Sequence, residues 1–314
     1  MTSSTMSLSP AFSDKAKLAI RQVVAKFAGE TVAQRSMSVT QCHSIHGAHG
    51  VWQVALGDVT VIYKQLQTHH AQAFSHASTF SLQQRLFQRG VAAEPLWFDE
   101  DTGEWIEAYL PAQDITDPKS TDPQNTGHKN TESQSTNIPN TDLLIQALVN
   151  LHQVHVGEGE IRTLDPFAQA EVLLAQLSAK FAPHHLSRIK LTLRDLQSQL
   201  HSLLQSLLQS KCHSTSPQSD ETPVLCHNDL HVDHVRAQMC CVDWEYAGVG
   251  PRYFDVAMCL TINHYPAAAH ASFIAKYADL AGVNTEHTSH QVSVYLRLCD
   301  ILNELWSQVL QQNA

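Results

Sequence analysis

The sequence predicts an α+β chain with a small antiparallel β-rich portion first and a large helical portion after it. Three observations carry this expectation. Strand-like runs in the first part of the chain fall at residues 51–56, 59–64, 95–98 and 105–110. Apolar residues at helical spacing resume at Leu143-Leu144, Ala147-Leu148 and Leu151 and fill most of the remaining chain. Two stretches, 113–142 and 210–222, are so rich in Thr, Asn, Ser, Asp and Pro that they cannot bury enough surface to offset ordering, and they read as disordered insertions.

Taken in order, a first helix is expected over 14–27. Asp14 is its cap, and Ala16, Ile20, Val23, Val24 and Phe27 form its apolar stripe. Gly57-Asp58 supplies a two-residue, glycine-first hairpin turn between the first strand runs. A helix over 73–88 comes next, closed by Gly90 in the position of a C-cap. The turn 99–103 joins the second strand pair. The expected division is 1–30 as tail and first helix, 31–110 as a small lobe, and 111–314 as a large helical lobe.

Composition excludes some functions. The formal net charge is -10, from 20 Lys+Arg against 30 Asp+Glu in 314 residues. Nucleic-acid binding needs clustered Lys and Arg, so no nucleic-acid partner is expected, and the balance suits a cationic or metal-borne substrate. The seven cysteines are odd in number, include no CxxC, and mostly sit in apolar surroundings, as free thiols in a reducing compartment do. The Ser/Thr-rich start has no signal pattern, and no apolar run approaches the ~20 residues that cross a bilayer. A soluble cytoplasmic protein, with no membrane partner, is expected.

The chemistry concentrates in one segment. Pro223-Val224-Leu225-Cys226-His227-Asn228-Asp229-Leu230 reads as a short buried strand entering a polar loop, succeeded by a compact hairpin and then Cys241-Val242-Asp243-Trp244-Glu245-Tyr246. Asp229 and Asp243 thus stand at the two ends of a short β excursion, where one cleft could hold both. Phosphoryl transfer uses two such carboxylates, one to orient and deprotonate the attacking hydroxyl, the other to hold metal ions on the phosphates.

His227-Asn228-Asp229-Leu230 followed by Val242-Asp243-Trp244-Glu245-Tyr246-Ala247-Gly248 resembles the aminoglycoside phosphotransferase superfamily, closest to its choline/ethanolamine kinase and thiamine kinase branch. The resemblance implies a bilobal protein-kinase-like fold, ATP and Mg2+ as cofactors, Asp229 as catalytic base and Asp243 as metal ligand. It implies that His227 and Asp255, the latter in Tyr253-Phe254-Asp255-Val256-Ala257, brace the catalytic loop. Gly47 and Gly50 fall where a phosphate-covering loop is expected, and Lys64 stands at the ATP-phosphate lysine. Ile106-Glu107-Ala108-Tyr109 resembles the hinge strand that receives adenine, and Leu151-His152 resembles a helix end beneath the catalytic loop. Glu245 and Trp306 fall near the acceptor, where an aromatic face beside carboxylates suits a quaternary ammonium or thiazolium, choline- or thiamine-like, with an amino sugar as the rival. The implied activity is an ATP-dependent kinase acting on a small-molecule alcohol.

Two features depart from that pattern. His234 occupies the position of the loop's metal-binding Asn, so that His234, or Asp233 beside it, would have to serve the metal. Between Gln65 and Ala93 there is no Asp or Glu, so the usual helix glutamate that pairs with the strand lysine is missing. Gln83 or Gln84 could offer a neutral hydrogen bond instead. These departures motivate a second reading, a catalytically weak pseudokinase. A third comes from Asp229-Leu230-His231-Val232-Asp233-His234, which is similar to the zinc motif of metallo-β-lactamase-like hydrolases. His43, His46 and His49, spaced by threes, are a weaker metal-binding pattern.

Overall fold

The computed structural model describes residues 12–34, 36–42, 50–66, 75–112, 140–157, 159, 161–178, 181–211 and 222–313. Most of the two polar stretches, together with His43, His46, Gly47 and His49, lie outside the described residues. The first helix is α1 (Asp14–Ala28), with one further turn, α2 (Glu30–Ala33), after it. Its cap is Ser13, whose hydroxyl accepts from the Ala16 N–H at 3.0 Å. Asp14 instead occupies the first turn, where its charge favours the positive end of the helix dipole. Ala16, Ile20 and Val24 are buried as expected, but Phe27 is 53% exposed and off the stripe.

Five strands come next: β1 (Ser38–Cys42), β2 (Gly50–Leu56), β3 (Val59–Gln65), β4 (Pro95–Asp99) and β5 (Glu104–Ala108). They form one antiparallel sheet in the order β1-β2-β3-β5-β4. Gly57 turns the β2–β3 hairpin at φ +60°, a conformation cheap for glycine alone. Between β3 and β4 runs α3 (His76–Gln88), capped by Ser75 rather than starting at residue 73. Strand alternation gives the sheet two faces. Trp52, Val54, Leu56, Val61, Tyr63 and Ile106 pack with Ala16, Ile20 and Val24 of α1 in one core. The opposite parity puts Ile62, Lys64, Trp105 and Glu107 on the other face, where the rings of Trp105, Phe80 of α3 and Phe98 lie 4.9–5.7 Å apart.

The remainder is α4 (Thr141–His152), α5 (Pro166–Leu177), α6 (Pro183–Lys211), β6 (Val224–Cys226), β7 (Gly248–Gly250), α7 (Arg252–Ile262), α8 (Ala267–Ala281) and α9 (Thr285–Asn313). Asn140 caps α4 by accepting from Leu143 N–H, so the polar stretch ends before residue 140 rather than at 142. The long α9 packs on α5, α6, α7 and α8, and α4 packs on α8 and β6. The chain divides into two compact units, 1–111 with 240–245, and 112–239 with 246–314. Segment 240–245 joins the sheet unit through Cys241, whose N–H donates to the Val91 carbonyl at 2.8 Å.

The expected hairpin after Asp229 does not form. β6 pairs antiparallel with β7, and three 3-10 turns, Val232–His234, Ala237–Met239 and Trp244–Tyr246, lie between them in the chain. Gln238, Met239 and Asp243 adopt φ of +60°, +60° and +70°, which end extended structure and prevent a ladder.

Candidate active site

In the helical unit, strand β6 delivers the catalytic-loop candidates. Asp255, fully buried in α7, accepts from the backbone N–H of Asn228 at 2.7 Å and of His227 at 3.0 Å. It also accepts from His152 Nε2 at 3.1 Å, and because a carboxylate only accepts, that nitrogen carries the proton. His152 Nδ1 is then the acceptor for the Tyr277 hydroxyl at 2.7 Å. Burial pushes the His152 pKa down and keeps the ring neutral. Burial alone would raise the Asp255 carboxyl, but the His152 and backbone N–H bonds outweigh it and hold it below the usual range. Asn228 sits at φ +61° and its amide donates to the Tyr246 carbonyl at 3.1 Å. A left-handed non-glycine costs on the order of 1–3 kcal/mol and persists only where its surroundings over-determine it, as they do at functional loops.

Beyond Asp229, Asn263 at the end of α7 has a role that the sequence pattern did not reveal. It accepts from Val232 N–H at 3.0 Å and donates to the Leu230 carbonyl at 2.9 Å, gripping the loop on its far side. An Asn directly after a helix was the only signal. His234 Nδ1 donates to the Asp229 carbonyl at 2.7 Å and lies 3.9 Å from its carboxylate. Asp233 is largely exposed, its carboxylate 3.5 Å from His231 Nδ1. Trp306 of α9 meets Tyr246 edge-on, with centroids 6.2 Å apart, and is only partly buried, whereas Leu302, Leu305 and Val309 fill the core.

In the sheet unit, Lys64 Nζ lies 3.1 Å from Glu107 Oε1 and 3.4 Å from Asp243 Oδ1. Burial would lower the ammonium pKa, but Glu107 first, then Asp243 and Glu245, raise it well above its ordinary value. The nearer of these two carboxylates thus stands on strand β5. Gln83 of α3 does not replace it: its amide donates to Glu107 Oε2 at 2.9 Å and to the Ala93 carbonyl at 3.0 Å. Trp105 Nε1 donates to the same Glu107 oxygen at 3.1 Å. Strand parity was the signal, since Glu107 is the one carboxylate sharing a face with Lys64 across β3 and β5. Tyr109 lies just past β5 and is 37% exposed. Gly50 opens β2 opposite Gln65, and a Cβ there would collide with the Trp52 ring.

Residues 81–291 match the sequence model of the phosphotransferase enzyme family. The chain belongs to that family. No curated protein matches it by sequence. Among solved structures, it resembles the choline kinase LicA from Streptococcus pneumoniae at 16% identity, over 95% of this chain and 92% of that one, with a TM-score of 0.58. It resembles choline kinase from Cryptosporidium parvum Iowa II at 13% identity, over 93% and 89%, with a TM-score of 0.65. The ethanolamine kinase of Plasmodium vivax is similar at 13% identity, over 95% and 83%, with a TM-score of 0.64. At these identities the likeness shows the fold, which is kinase-like. It leaves no place for the metallo-β-lactamase reading, which needs a second β-half. Past His234 the described residues of this phosphotransferase hold one short strand, β7.

Two residues expected at a magnesium ion differ in their chemistry. Asp243, with 36% of its side chain exposed, offers the oxygens a hard cation prefers. His234 offers only nitrogen, and the hydrogen bond from Nδ1 to the Asp229 carbonyl leaves Nε2 as the ring's basic atom, a poor ligand for magnesium. His152, Cys226 and Asp255 also cluster, but burial raises the Cys226 thiol well above its usual pKa and Asp255 is committed to hydrogen bonds. Among the described residues no helix is long and apolar enough to cross a membrane.

Proposed function

We propose that this phosphotransferase is an ATP- and magnesium-dependent kinase that phosphorylates the hydroxyl of a small cationic alcohol, choline- or thiamine-like. The observation that carries the reading is the meeting of Lys64 with Asp243, far apart in sequence, at 3.4 Å. A buried cation for phosphates beside a carboxylate for metal is the electrostatic core that phosphoryl transfer needs. Asp229 is the base that orients and accepts the proton of the acceptor hydroxyl, on a loop held by Asp255 and Asn263. Asp243 is the residue that would hold the metal, whose chemistry when bound is to neutralise phosphate charge. Gly50, which opens β2, is assigned to covering the phosphates, and the backbone at Glu107 and Tyr109 receives adenine.

The cationic acceptor is supported by the Tyr246–Trp306 pair and by the acidic net charge. An aromatic face attracts a quaternary ammonium by about 0.5–2 kcal/mol. Among the described residues, the buried thiols of Cys226, Cys240, Cys241, Cys259 and Cys299 support a cytoplasmic setting.

Turnover of Mg-ATP with choline, ethanolamine, thiamine and aminosugars tests the reading. The expectation is turnover with the ammonium or thiazolium alcohols, and a fall of roughly 100- to 10,000-fold in Asp229→Ala. Turnover with aminosugars alone overturns the acceptor, and unchanged turnover in Asp229→Ala and Asp243→Ala overturns the mechanism.

A further inference from the structure

We propose that Glu107 is the carboxylate that positions Lys64 for the nucleotide phosphates, so that the lysine clamp lies wholly within the sheet and needs no charged residue on α3. The inference rests on the kinase reading above and deepens it. In the kinase pattern the lysine's partner sits on the small-lobe helix, and a shift of that helix makes or breaks the pair. Here Lys64 and Glu107 stand on adjacent antiparallel strands, with Ile62 opposite Glu107 and Lys64 opposite Trp105, so the two side chains are diagonal neighbours on one face. Ladder hydrogen bonds therefore fix their spacing before any ligand arrives.

The two partners of Lys64 differ in a way that assigns them different work. The Glu107 side chain is 2% exposed and its other oxygen is occupied by Gln83 and Trp105, so it has one orientation. The Asp243 side chain is 36% exposed. A charge pair open to water is weakly held, whereas breaking a buried, hydrogen-bonded one leaves an uncompensated charge. Glu107 is thus the permanent partner. Asp243 is the exchangeable one, released when phosphates take its place on the ammonium. Gln83 ties α3 to this pair through a neutral bond, the role left for a helix that carries no acid.

The test compares wild type, Glu107→Gln and the swap Gln83→Glu/Glu107→Gln by calorimetric titration with ATP and by steady-state turnover, each after a thermal melt. Glu107→Gln should weaken ATP binding tenfold or more, raising KM for ATP more than it lowers kcat. The swap moves the carboxylate to α3 while keeping a donor–acceptor pair between the two side chains, and it should recover at least threefold of the lost affinity. A purely structural role for Glu107 would show no such recovery. Should Glu107→Gln not fold, Gln83→Met, which frees Glu107 from α3 without removing its charge, should weaken ATP binding about threefold. ATP affinity within twofold of wild type in folded Glu107→Gln or, failing that, in Gln83→Met overturns the inference, as does a swap no better than Glu107→Gln. If wild type itself neither binds nor turns over ATP, the kinase reading falls and takes the inference with it. A working wild type beside an unaffected variant sinks only the inference.

Discussion

Replacing Asp255 by Asn keeps the shape of a fully buried side chain while removing its charge, and its cost can be worked from three hydrogen bonds. Oδ1 accepts from Asn228 N–H, and Oδ2 accepts from both His227 N–H and His152 Nε2–H. An amide has one accepting atom, so in either orientation its NH2 group confronts at least one backbone N–H. The better orientation keeps the Oδ2 pair and loses the bond to Asn228. A hydrogen bond to a charged group is worth about 1.5–3 kcal/mol and an orphaned buried donor costs about 1–3 more, so the sum is roughly 3–5 kcal/mol. At about 2–4 °C per kcal/mol for chains of this scale, Tm should fall by roughly 6–20 °C. Differential scanning calorimetry at pH 7.5 measures it. A Tm within about 2 °C of wild type would refute the claim that this carboxylate supports the loop.

The same cluster sets a pH dependence. The folded-state pKa values of His152 and Asp255 are both depressed, so the unfolded chain binds protons that the folded one does not. Stability from His152 is complete above the unfolded value near 6.5 and is lost as pH falls below it, and that from Asp255 is lost as pH falls below about 3.8. Urea midpoints should therefore decline from pH 7.5 to 5, and a flat profile would contradict the neutral, buried imidazole. Tyr63→Phe removes the 2.8 Å hydrogen bond from Tyr63 to buried Glu104 and should cost about 1–2 kcal/mol by urea denaturation. Leu148→Ala, at a fully buried site in α4, should cost about 2–5 kcal/mol in the same assay. Trp306→Ala should raise the acceptor KM about threefold or more while leaving KM for ATP within twofold, and equal changes in both would remove Trp306 from the acceptor side.

Much of this protein was legible in the chain. Period-two alternation over β2 and β3, the Gly57 turn and the helical spacing from Leu143 onward fixed the elements, because each reflects which side of a local structure faces water. The order of His227, Asp229, Asp243 and Asp255 was enough to name the phosphotransferase family, since those residue types at that spacing serve one kind of chemistry. Cap positions were less visible. Ser13 and Asp14 both favour a helix start, and only the hydroxyl's bond to Ala16 N–H separates them.

Tertiary structure alone decided the partners. That β6 pairs with β7, and not with the segment before Asp243, depended on left-handed residues no pattern revealed. That Lys64 takes its carboxylate from β5 and not from α3 depended on strand order, which puts β5 beside β3 and brings Glu107 within 3.1 Å of the ammonium. Local sequence sets which face a side chain occupies. Which distant face it meets is set by packing, since hydrogen-bonded ladders and buried charges have their energies only once the chain has closed on itself.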